Sequence, residues 1–130
     1  MPQANDFFEI TLKKAHLDWG GYRHSKSRNR IKHEGYLQIP ASIARELNIT
    51  NSNDKGNNNI YMCNSSDGII VNQQLKATGC SSKGDIYAKQ FSGKGNLKLL
   101  GGWFKAVNAV EGDRVKIEFI SSNQILLTKI

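Results

Sequence analysis

Between Tyr22 and Tyr36 the chain reads YRHSKSRNRIKHEGY, with five Lys or Arg and no acid before Glu34. Arg23, Arg28 and Arg30 each carry a planar fork of N–H donors that can grip two acceptors on one base edge, and Asn29 sets a donor beside an acceptor. Ser25, Lys26, Ser27 and Lys32 are types that hold phosphates, and His24 adds a further polar contact. Tyr22 closes one end of this set. A segment of this kind repels itself and has no apolar face to bury. Its chemistry is that of a polyanion contact, with the balancing charge supplied from outside the chain.

The charge map picks out a second segment. The formal net charge of the 130 residues is +7. From Lys13 to His33 there are seven Lys/Arg against one acid, and from Lys76 to Lys105 six against one, so the rest of the chain is net acidic. A protein made soluble by charge alone would intersperse both signs. In the second segment Lys89, Gln90, Ser92, Lys94, Asn96 and Lys98 form the candidate set. Gln90 suits N6 and N7 of adenine, and the lysines with Ser92 suit phosphates. Lys13, Lys14 and Lys83 are further phosphate candidates. Two basic segments some forty residues apart can form the two sides of one site.

Catalytic readings are weaker. His16, His24 and His33 could join Glu34 and Asp18 in a small metal-dependent nuclease, but no HExxH or HxH spacing is present. Asp113 belongs to a turn, and Glu118 lies on the outward face of a strand. No serine lies in GxSxG, and SGKGNLKLLGG does not match a phosphate-binding loop, which needs Ser or Thr after its Lys. Cys63 and Cys80 have no metal-ligand spacing and read as free thiols. The expectation is a binding domain with no catalytic residue, no cofactor and no metal. No stretch has the length and apolarity of a membrane span, and MPQANDFFEI has no signal-peptide pattern, so a soluble cytoplasmic protein is expected.

The elements that must carry these segments are mostly strands. Phe8, Ile10 and Leu12 alternate with polar residues, as do Val115, Ile117 and Phe119. Tyr36–Ile39 reads as a short strand, and Pro40 suits the first turn of a helix buried through Ile43, Ala44 and Leu47. Ile60–Cys63 and Ile69–Asn72 read as a hairpin, followed by strands over Ile86–Phe91 and Asn96–Leu100. Gly101 and Gly102 then break into a short helix carrying Trp103, Phe104 and Val107, and Gln124–Ile130 returns as a last strand. This predicts one domain over residues 1–130, mainly β with two short helices, in an antiparallel seven-stranded barrel or half-open barrel. The aromatics fall mostly at inward positions, which favours duplex DNA over single strands.

Two passages together resemble a known family. EGYLQIPASIARELNI, and later LLGGWFKAVNAVEGDRVKIEFISSNQILL, resemble the B3-like pseudobarrel DNA-recognition domain of type II restriction endonucleases, nearest to the NgoFVII type of C-terminal domain. LKKAHLDWG adds to the likeness. The resemblance implies a wrench-like grip on the major groove of double-stranded DNA. One arm, the N-arm, lies between the first two strands at Tyr22–His33, and the other, the C-arm, lies across the barrel. The second arm is placed at Lys89–Lys98, with CSSKG (Cys80–Gly84) as competitor. It further implies sequence-specific recognition within restriction-modification, a nuclease domain or subunit as a further partner, and a monomer as an isolated domain. A rival likeness links GYLQIPASIARELNI to the AbrB-related swapped-hairpin regulators and antitoxins. Those reach a Gly-Asp and a strand quickly, whereas here Gly112-Asp113 follows over sixty residues later.

Overall fold

In the computed structural model, the described residues are 2–13, 35–56, 58–80, 82–96 and 98–130. Phe7–Thr11 forms β1, with Phe8 and Ile10 inward and Phe7, Glu9 and Thr11 outward. Leu37–Gln38 is β2 and Ala41–Leu47 is α1; Pro40, expected in the first turn, is instead the extended residue just before it (ψ 142°). Helix α1 stops at Asn48, whose φ of 56° is left-handed, a conformation that Asn tolerates at a helix end. Strands β3 (Ile60–Ser65), β4 (Gln73–Thr78) and β5 (Gln90–Gly93) follow, then α2 (Leu99–Ala106), β6 (Arg114–Ser121) and β7 (Gln124–Lys129).

The seven strands form one sheet in the order β1-β6-β7-β3-β4-β5-β2. Each described pairing is antiparallel except β3 with β7, which is parallel from Met62↔Gln124 to Ser65↔Leu127. Odd-numbered strands therefore run one way and even-numbered strands the other. The sheet is curled, as one aromatic cluster shows. The Tyr61 ring on β3 meets Phe91 on β5 at 5.5 Å and Phe119 on β6 at 5.8 Å. Each partner lies two strands away, about 10 Å along a flat sheet. The inner faces must bend toward each other for these rings to touch, which gives the nearly closed barrel-like form expected.

Buried side chains inside this curl form one hydrophobic cluster, with Trp103 and Phe104 of α2 plugging it. The Tyr61 hydroxyl in this cluster and the buried Thr50 Oγ1 have no hydrogen-bond partner among the described residues. Burial pushes the Tyr61 phenol up to about 12 and the Cys63 thiol up to about 12, so both stay protonated in the core.

Three expected strands fall elsewhere: the one expected over Ile86–Phe91 begins only at Gln90 and runs to Gly93, with Tyr87 making an isolated bridge to Thr50 before it. Ile69–Asn72 is not the return arm of the hairpin, because Gln73–Thr78 pairs with β3 from Cys63↔Gln73 to Ile60↔Lys76. Residues 66–72 are held as a loop by Asp67, whose Oδ1 accepts from Ser65 Oγ and, at 2.9 Å, from the Ile69 N–H. Its Oδ2 accepts the indole N–H of Trp103 at 2.9 Å, tying the loop to α2. Burial alone would raise the Asp67 pKa. The bonds from Ser65, Ile69 and Trp103 outweigh it and hold the carboxyl below the usual range. The strand expected over Asn96–Leu100 does not form there either: Leu99 and Leu100 open α2, and Gly101 and Gly102 lie inside that helix instead of breaking a strand before it. Helix α2 packs against β5, and a side chain at Gly93 would meet the Asn96 carbonyl at 2.1 Å, so only glycine allows this tight turn.

Candidate nucleic-acid interface

Strand direction decides which loops share an end of the sheet. The chain leaves β1 through Lys13 and re-enters β2 through Gly35 and Tyr36, both at the end where the odd strands finish. That end also holds the turn from Lys94 to Lys98. Leu37 pairs with Phe91, which sets Gly35 and Tyr36 alongside the last residues of β5. The loop 79–89 between β4 and β5 leaves from the opposite end. The four residues of β5 separate the two ends by about 10 Å.

The second predicted set is thus spread over one strand and its two ends. Lys89 and Gln90 stand where loop 79–89 rejoins the sheet, with Lys89 N–H donating to the Thr78 carbonyl at 2.9 Å. Gln90 pairs with both Thr78 and Gln38. Ser92 occupies the middle of the outer face, opposite Lys76. Lys94 donates from its backbone to Gln74 at 2.9 Å, and Asn96 Oδ1 accepts the Lys98 N–H at 3.2 Å. Lys89, Lys94, Asn96 and Lys98 are exposed, and Gln90 and Ser92 are half-buried. Lys83 is exposed in loop 79–89. Lys13 continues the line of β1 and is exposed. The whole first set from Tyr22 to Lys32, with Lys14, lies outside the described residues, as do His16, Asp18, His33 and Glu34.

The outer face of β4, β5 and β2 joins these residues into one surface. Gln74, Lys76 and Thr78 from β4, Ser92 and Gln90 from β5, and Gln38 from β2 share it, and none is acidic. Among the described residues, Lys76, Lys83, Lys89, Lys94 and Lys98 have no carboxylate at ion-pairing distance. Burial raises the Tyr36 phenol pKa at the border of this surface. The sequence reading missed Lys76 and Thr78 as site residues. Their period-2 spacing with Gln74 was the signal, hidden because Leu75 and Ala77 are the only apolar residues of β4.

On β1, β6 and β7 charges are paired within the protein. Arg114 faces Glu9 at 3.5 Å, Lys116 faces Glu118 at 3.9 Å, and Lys129 faces Asp113 at 3.4 Å. Asp113 also accepts the Val110 N–H at 3.0 Å. That bond and the Lys129 ammonium keep its carboxyl below the usual range. Asp113 and Glu118 are therefore parts of turns and ion pairs. Among the described residues no cluster of His, Cys, Asp or Glu could hold a metal, and Cys63 and Cys80 are free thiols. No described helix is long and apolar enough to cross a membrane.

A protein-family model for the NgoFVII C-terminal B3-like DNA-binding domain matches residues 8–115. The chain belongs to this family. No curated protein matches it. The match runs from β1 into the start of β6, so it takes in both basic segments and the sheet edge between them. In this B3-like DNA-binding domain, Lys76 lies on the outer face of β4, β5 and β2, and Lys89 and Lys94 flank β5 at its two ends. The swapped-hairpin alternative is set aside by this match, and by a chain that supplies all seven strands of its own sheet.

Proposed function

We propose that this B3-like domain recognises a specific sequence in double-stranded DNA through the major groove, as the target-recognition part of a type II restriction endonuclease. Segment 22–33 is one arm. Its roots at Lys13 and Gly35 lie at the end of the sheet where β5 finishes, Gly35 beside β5 itself, and the side chains of β5 form the floor. A wrench needs an opposing jaw at the other end. Loop 79–89, with Ser82, Lys83 and Lys89, has that position, which favours the Cys80–Gly84 stretch over Lys94–Lys98 as the tip of the second arm. Lys94, Asn96 and Lys98 then sit beside the root of the first arm and hold phosphates there.

One observation carries this reading: among the described residues, the lysines of the β4–β5 side lack carboxylate partners, while the basic residues of β6 and β7 have them. An unpaired cationic face free of acid is the footprint of a phosphate contact. Arg23, Arg28 and Arg30 supply bidentate readout of guanine, and Asn29 and Gln90 that of adenine. In this reading cleavage belongs to a partner nuclease domain or subunit, and the domain by itself acts as a monomer.

The test is selection from a pool of random duplexes, followed by sequencing of the bound fraction. A single enriched motif of a few base pairs is expected, bound with a salt slope of about −0.9 per phosphate neutralised. Recovery of an unenriched pool would reject sequence-specific recognition. Plasmid cleavage by the purified chain with Mg²⁺ would reject the division of labour.

A further inference from the structure

Loop 79–89 is secured at its base chiefly by one buried side chain. Asn51 is 4% exposed, and its Nδ2 donates to two carbonyls at once, Gly79 at 2.8 Å and Asp85 at 2.9 Å. These two residues bracket the stretch from Cys80 to Gly84. Asn51 Oδ1 accepts the Asn53 N–H at 2.9 Å, and the Asn51 backbone N–H donates to Ile86 at 2.8 Å. Asn53 Nδ2 adds a second bond to the Asp85 carbonyl at 3.0 Å. Thr50 pairs with Tyr87, and the Ala88 N–H donates to Ile49 at 3.1 Å.

The residue type follows from this geometry. Two carbonyl oxygens on one nitrogen require a side chain with two N–H donors on a single short planar group, and asparagine is the shortest that has one. Aspartate has the same shape but would set a charged oxygen against two carbonyl oxygens. Gly79 fits the same arrangement. Its φ is +82°, and a Cβ there would press on Lys89 Cβ at 3.3 Å.

We infer that Asn51 is a positioning residue for DNA recognition, which presets loop 79–89 so that Ser82 and Lys83 meet the DNA without having to be ordered first. The inference rests on the function proposed above. Ordering a free loop on binding costs affinity, and a loop held beforehand avoids that cost. Asn51 touches no ligand itself, so it acts only through the loop it holds.

A double-mutant cycle separates this role from general support of the fold. The probe is the duplex recovered by the selection, titrated against the whole chain and against Asn51→Asp, Ser82→Ala/Lys83→Ala and the combined variant, with amide exchange followed in residues 79–88. Asn51→Asp is expected to raise the Kd about ten-fold, and by less than about two-fold once Ser82 and Lys83 are already alanine. Exchange should quicken in residues 79–88 while the strands stay protected. Should Asn51→Asp fail to fold, Asn53→Ala, which removes only the exposed bond to Asp85, is expected to show the same dependence at a smaller size. Equal losses in both backgrounds, or unchanged affinity with a loosened loop, would overturn the inference and leave DNA recognition standing. A wild-type chain that enriches no duplex would overturn both.

Discussion

The β1–β6 edge and the β4–β5 side of the barrel are built from the same pattern of inward apolar and outward polar residues, yet they treat charge in opposite ways. On β1 and β6, Arg114 meets Glu9, Lys116 meets Glu118 and also lies 4.8 Å from the Phe7 ring, so cations find partners within the sheet. On β4 and just after β5, Lys76 and Lys94 stand among Gln74, Thr78, Gln90 and Ser92, with no acid among the described residues of that face. The difference teaches that net charge is a poor guide to a binding face. What distinguishes one is cationic charge left uncompensated where the protein could have placed a glutamate.

Reversing charge on each side is the strongest way to break that comparison. Lys83→Glu, Lys89→Glu and Lys94→Glu together are expected to abolish measurable duplex binding at physiological salt, whereas Arg114→Glu with Lys116→Glu should leave the Kd within about three-fold. Electrophoretic titration of both variants checks this, and equal losses would remove the distinction between the sides.

A single neutralisation sharpens it. Lys76→Ala is expected to lower the log-log salt slope by about one unit for all duplexes alike, and Lys116→Ala to leave it unchanged. If Lys76→Ala instead altered the preferred sequence, the β4 face would be reading bases, not holding phosphates.

Asp67 belongs to neither region and separates loss of fold from loss of binding. Asp67→Ala leaves the buried Trp103 indole N–H without its acceptor, which is expected to cost about 1–2 kcal/mol of stability with DNA affinity kept while the chain is folded. The sign of the pH dependence follows from the lowered carboxyl pKa. Its contribution is complete above the unfolded value near 3.9, and is lost as pH falls through the lower folded value. Thermal unfolding between pH 2 and 6 should show this loss in the wild type and a flatter profile in Asp67→Asn.

The smallest effect is expected on the β1–β6 edge. A double-mutant cycle between Glu9 and Arg114 should give a coupling under about 1 kcal/mol, because both side chains are well exposed. Salt should weaken that coupling, and DNA affinity should not respond to either substitution.

Alternation in FFEIT and RVKIEF was enough to place β1 and β6 and their inward residues, because a strand with one buried face writes a period of two into its own sequence. Pro40 with Ile43, Ala44 and Leu47 marked α1 for a similar local reason. The loop at 66–72 was not legible, since Ile69 and Val71 look like strand residues. Asp67 overrides them through a bond to Trp103, 36 positions away. Glycines 101 and 102 misled in the same way: their cost in a helix is outweighed by burial of Leu100, Trp103 and Phe104 around them.

For the candidate site, sequence by itself determined which residue types were available and that they cluster in two basic segments, because composition and charge are local properties. Only the tertiary structure decided which of them share a surface. Strand order put β1 and β2 at opposite edges of one curled sheet, and strand direction put loop 79–89 at the far end of β5 from Lys94–Lys98. The lack of carboxylate partners around Lys76 among the described residues and the grip of Asn51 on Gly79 and Asp85 depend on pairings between residues tens of positions apart. Such pairings are set by packing the whole core, and no short stretch of sequence carries them.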